Sequence, residues 1–165
     1  MVKRHFPICT LKTCNREFAF YDLHFTIYFA IGGKFMSLNV PAVLIQQAKT
    51  GTVDEAAFVQ TIRESLPYAW QIVEKLASRI HQDGQLWDHY AVAPPSEQAR
   101  GQLLRMVGGD AIRGAVERHF NVKLAFQNCH NLAAFRLDAL NSPEYRNFTS
   151  IQSQILNQTP ELKDC

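Results

Sequence analysis

What this chain lacks narrows its possible functions first. Its 165 residues hold four cysteines, Cys9, Cys14, Cys129 and Cys165, at no spacing that builds a disulfide framework. A reducing, cytoplasmic setting is expected. Cys9 and Cys14 form a C-x4-C pair with no second pair, and a structural zinc site needs four ligands. Neither a metal nor any other cofactor is therefore expected. Glycine (8) and proline (7) are too few for a low-complexity or disordered chain. Charge of one sign is also scarce: the net +2 cannot by itself drive binding to phosphates. Long apolar runs are missing too. Phe18–Gly33 is sixteen residues and contains Asp22 and His24, whereas a spanning helix needs roughly 20 mostly apolar residues. No membrane partner is expected for residues 36–165.

What is present describes a globular domain: 47% hydrophobic and 19% charged residues, in a chain long enough for one sizeable core. Residues 1–35 differ from the rest, being dense in aromatics without a period. They read as an N-terminal extension outside the domain, with Met36 as the true start and residues 36–165 as a single domain.

Pro41 to Ala48 reads as a short helix stopped at Gly51. Thr52, with Glu55 three residues on, has capping-box spacing for a long helix. In that helix Val59, Ile62, Leu66, Ala69, Val73, Leu76 and Ile80 recur at steps of three and four, the stripe of a buried face. Pro67 must kink or break it. Gln85 to Pro95 has no period and ends in a diproline, so it reads as a loop. Its Asp88-His89 pair lacks a third group for acid-base work.

Ser96 caps a helix running to Val107. Gly108-Gly109 interrupts it, and a second helix covers Ala111–Phe120 up to Asn121. Val122–Phe126 and Leu132–Leu137 follow as a small β-hairpin, although Leu132, Ala133, Phe135, Leu137 and Leu140 alternate poorly enough to leave a helix over Cys129–Leu140 open. Ser142-Pro143 then starts a last helix through Ile155. The expected class is α+β, predominantly helical, with four to six helices and a hairpin near residues 122–137.

Function is less legible. No convergent catalytic set is present, which favours a non-enzymatic interaction, assembly or regulatory protein whose partner is another protein. Two alternatives remain. A thiol-dependent or redox-responsive protein would use Cys129 with His130 or His119, because an imidazole that takes the thiol proton leaves a nucleophilic thiolate. Sequence neighbours on a strand, however, point to opposite faces. A nucleic-acid-binding regulator would use Arg100, Arg105, Arg113 and Arg118. Residues 96–137 are the basic part of the domain, with six Lys/Arg against three acids. The text L-L-R-M-V-G-G-D-A-I-R-G-A-V also has the outline of a helix–glycine turn–helix element that offers backbone amides to phosphate.

The phrases E-S-L-P-Y-A-W, A-R-G-Q-L-L-R, D-A-I-R-G-A-V-E-R-H-F, L-A-F-Q-N-C-H and L-N-Q-T-P-E-L, in that order from Glu64 to Leu162, resemble a small soluble protein family of cyanobacteria. The resemblance covers most of residues 36–165. It implies a cytoplasmic accessory protein and brings no catalytic residues with it.

Overall fold

A computed structural model describes residues 37–128 and 130–157. The expectations for residues 1–35 and Met36, and those for Cys9, Cys14, Cys129 and Cys165, fall outside them. Within the described residues the fold is predominantly helical α+β, as the periodicities predict. Seven α-helices are present where four to six were expected, and the hairpin is part of a three-stranded sheet.

Helix α1 (Ala42–Thr50) ends at Gly51, whose φ of 77° is the left-handed geometry that glycine adopts without strain. Helix α2 (Glu55–Ser65) is capped by Asp54, whose carboxylate accepts the amides of Ala56 and Ala57. Thr52 is thus not the cap. A carboxylate beside the positive end of the helix is the stronger acceptor, and the Thr52 hydroxyl bonds Thr50 instead. Pro67 separates α2 from α3 (Pro67–Asp83) outright. Leu66 is pushed out of the helical region (φ −125°, ψ 53°), and the proline becomes the first residue of the next helix. All seven residues of the stripe are buried.

Gln85–Pro95 is not wholly a loop, because Trp87–Tyr90 forms strand β1. A four-residue strand has too little pattern of its own to declare itself. It is fixed by pairing antiparallel with β3, Trp87 opposite Phe135 and Tyr90 opposite Leu132. Helices α4 (Glu97–Gly108) and α5 (Asp110–Phe120) follow, then β2 (Val122–Gln127) and β3 (Asn131–Arg136). The sheet order is β1-β3-β2, which leaves β2 on an edge.

The poor alternation of Leu132–Phe135 has a physical reason: β3 is the central strand and both its faces are covered. Leu132 and Ala134 join the main core with α2, α3, α4 and α5. Ala133 and Phe135 meet Phe148 on the other face. A strand buried on two sides reads as a continuous apolar run.

The last helix divides into α6 (Pro143–Phe148) and α7 (Ile151–Leu156) because Ser150 caps a new start, accepting the amide of Ser153. A polar clamp holds this end to the β2–β3 turn. The buried Gln127 amide donates to the carbonyl of Phe148, and its oxygen accepts from Asn157 at 2.9 Å. Asn128 donates to the Asn157 carbonyl at 2.8 Å and accepts from Gln154 at 3.0 Å. Gln127→Leu leaves the Phe148 carbonyl without its donor and removes Asn157's acceptor, so a loss of about 1–3 kcal/mol is expected in urea unfolding.

Candidate functional site

The basic stretch foreseen in the sequence lies around the α4–α5 junction, and the structure sorts its four arginines by what each already holds. Arg118 is 2.7 Å from Glu55, and Arg100 is 3.4 Å from Glu97. Arg113 folds back on the junction. Its guanidinium donates to the Val107 carbonyl at 3.0 Å and to Asp110 at 2.5 Å, tying the end of α4 to the start of α5. Arg105, one helical turn before Gly108, is exposed and makes no ion pair among the described residues. It is therefore the cation most available to a ligand.

Between the helices only Gly109 leaves helical geometry (φ −111°, ψ 122°), an extended conformation open to any residue. It is the N-cap of α5 and provides no side-chain cap, so the first amides of α5 face outward uncapped by it. A Cβ added at Gly108 or Gly109 would meet nothing within 4 Å. Neither backbone strain nor internal packing explains the two glycines. They leave bare main chain at the junction where the carbonyl end of α4, at Gly108, meets the amide end of α5, at Gly109.

Beside this turn a groove of about 490 Å³ runs along β2. Arg113 lines one side, Lys123–Gln127 line its length, and Ile151, Gln154 and Ile155 of α7 stand opposite. Five consecutive residues of β2 contribute, together with Tyr145 and Phe148 of α6, so the strand's unpaired edge and the face that carries Ala125 both border the groove. Glu117 partly closes that edge. Its carboxylate accepts the Leu124 amide and the Lys123 ammonium, each at 3.0 Å. Arg113 and Lys123 are thereby held near acids, and the groove itself carries little net charge.

The thiol candidates are not assembled into a site by the described residues. His119 lies near the end of α5, packed against Trp70 at 5.3 Å and Phe120 at 4.8 Å. His130 sits in the turn after β2, so six strand residues, about 20 Å of chain, separate the two. Nor does the Asp88 carboxylate serve the His89 ring. It pairs with Arg79 at 3.0 Å and accepts the His89 backbone amide, while the ring stacks on Trp87. Among the described residues no cluster of His, Cys, Asp and Glu could hold a metal, and no helix is long and apolar enough to cross a membrane.

One ionisable group was not foreseen. The Tyr68 oxygen is buried without a well-formed hydrogen bond and faces Tyr90. Loss of water, and secondly the neighbouring tyrosine, push its pKa up to about 12. The native state holds this proton more tightly than the unfolded chain. Stability should therefore decline as pH rises from the ordinary tyrosine value of 10 towards 12. Ultraviolet titration should show a tyrosine ionising near pH 12, and Tyr68→Phe should remove that step.

No curated protein and no solved structure matches this sequence. A family model does match, over residues 36–165, the span that carries the glycine turn, the three strands and the groove. The chain belongs to the family described as NucS shadow ORF (KH_NucS_shadow).

Proposed function

We propose that this protein binds nucleic acid through the α4–α5 turn, with the backbone of the strand lying on Gly108 and Gly109. The carrying observation is that pair of glycines, which neither their φ angles nor their packing requires. Bare main chain at a helix N-terminus suits the close approach of a phosphate. Arg105 supplies a nearby charge without an intramolecular competitor among the described residues. The family's name opens with KH, the name of a module whose G-x-x-G loop clamps the backbone of four nucleotides. This chain departs from that motif at one end. The residue three before Gly109 is Met106, fully buried in the core, so the turn reads Met106-Val107-Gly108-Gly109.

The reading takes up the nucleic-acid-binding alternative in preference to the non-enzymatic interaction protein that the sequence favoured. The cyanobacterial, cytoplasmic setting implied by the phrase resemblance remains part of the proposal. So does a protein partner.

The test is fluorescence anisotropy of labelled single-stranded RNA and DNA with the full chain across a salt series. Binding that weakens as salt rises is expected, with a shallow slope because few cations are available. No binding at low salt overturns the proposal.

A further inference from the structure

The sheet has a second edge, β1, and the order β1-β3-β2 puts it on the far side from the groove. The Leu86 carbonyl accepts the Arg136 amide at 2.9 Å. By the alternation of an antiparallel ladder, Leu86, Asp88 and Tyr90 then turn their main-chain groups to β3, while Trp87 and His89 turn theirs outward. One outward group is already taken. The His89 amide donates to the Asp88 carboxylate at 2.8 Å, and Arg79 holds that carboxylate at 3.0 Å. The edge that remains is richer in acceptors, the carbonyls of Trp87 and His89, than in donors.

Beside this edge a cavity of about 440 Å³ is lined by Gln85–His89 and by Glu144 of α6. Neither lysine nor arginine lines it. Arg79 offsets Asp88, whereas Glu144 is exposed and makes no ion pair among the described residues. One carboxylate therefore borders the cavity uncompensated. The cavity also has a flat wall. Phe135 lies on Trp87 at 5.4 Å and 7°, and Trp87 lies on His89 at 5.3 Å and 18°. His89 ends this series, exposed, with no further ring against it among the described residues. The stack holds in place an imidazole that an isolated surface side chain would leave free to rotate.

A flat ring, an unpaired carboxylate and main-chain acceptors together suit a planar cation with several donors. The guanidinium group has that shape: it stacks on aromatic faces and carries five N–H groups, whereas an ammonium is a point charge with no face to stack. We infer that the β1 edge binds an arginine side chain of a partner protein, the guanidinium lying on the His89 ring and pairing with Glu144. A protein fits better than a small guanidinium compound, because the amide and carbonyl of Trp87 face outward as a pair that a neighbouring extended main chain completes. The site lies on the opposite edge from the glycine turn's groove and does not depend on nucleic-acid binding.

Isotope-labelled full chain is titrated with a blocked valine-arginine-valine tripeptide, its lysine counterpart and N-acetylarginine amide, while the Trp87 indole N–H and the His89 and Glu144 amides are followed by NMR. The arginine tripeptide is expected to move these signals and to bind about fivefold more tightly than either of the other two. Glu144→Gln and His89→Ala should each weaken it about fivefold. His89→Phe, which keeps a flat face, should retain it, and Glu74→Gln, which removes an exposed carboxylate outside the cavity, should change nothing. A Trp87 signal unmoved by the arginine tripeptide overturns the inference. Equal affinity for the arginine and lysine tripeptides overturns it too, as does unchanged binding in Glu144→Gln or His89→Ala, because the attraction would then be the general one between opposite charges. N-acetylarginine amide binding as tightly as the tripeptide overturns the assignment to a protein partner.

Discussion

Gly109→Asp is expected to abolish nucleic-acid binding while leaving the fold as stable as before or slightly more so. The position is the N-cap of α5, where aspartate is among the preferred residues and exceeds glycine by a few tenths of a kcal/mol. Its φ of −111° suits any residue, and a Cβ enters open space. The opposing cost is limited to the carboxylate's place at the carbonyl end of α4, for which Gly109 is also the C-cap. A phosphate, by contrast, would meet a second carboxylate beside the 93% exposed Asp110. Placing like charges together costs several kcal/mol, so affinity should fall by about a hundredfold or more. Anisotropy and thermal melting on the same sample separate the two effects. Binding retained at wild-type strength would remove the turn from the site. A large drop in melting temperature would mean that the glycine serves the fold after all.

Phe135→Ala should be the most destabilising single change on the α6 side of the sheet. Phe135 is fully buried at the centre of β3, stacked on Trp87 at 5.4 Å and met edge-on by Tyr145 at 5.0 Å and Phe148 at 5.9 Å. That face has few other buried apolar side chains, Ala133 and Phe148. Removing the ring cannot be compensated by collapse onto neighbours, which places the cost near the upper part of the about 3–5 kcal/mol seen for such truncations. A domain's whole stability is typically about 5–15 kcal/mol. Urea unfolding should show a large fall in midpoint, and near-ultraviolet dichroism should lose the signal of the Trp87 stack. A midpoint close to wild type would show that the second face contributes little.

The two expectations draw on different levels of the molecule. The glycine pair was visible in the text of the sequence, and so was its meaning as an interruption between helices, because two adjacent glycines and an aspartate break a helical period wherever they stand. Its value as a binding surface was not visible. That depends on what surrounds the missing side chains, and only the folded chain shows that nothing does. The arginines divide in the same way. All four could be counted from the sequence, but Glu55, which holds Arg118, is 63 residues away, and no local pattern announces such a pairing.

The groove was missed altogether in the sequence. Its walls come from α5, β2, α6 and α7, stretches of chain with no common periodicity. The advance signal was apolar residues at Ile151 and Ile155, which the sequence placed on a last helix and the structure leaves in water.

By itself the sequence determined the helices and their ends: the stripe from Val59 to Ile80, the break at Pro67, the caps at Ser96 and Ser142, the stops at Gly51 and Asn121. These follow from interactions within a few residues, which the local order of side chains fixes. The tertiary structure decided β1, the two-sided burial of β3 and the position of α7. A four-residue strand and a run such as Leu132–Phe135 are compatible with more than one local conformation, and each becomes a strand only when a distant partner supplies its hydrogen bonds and covers its faces.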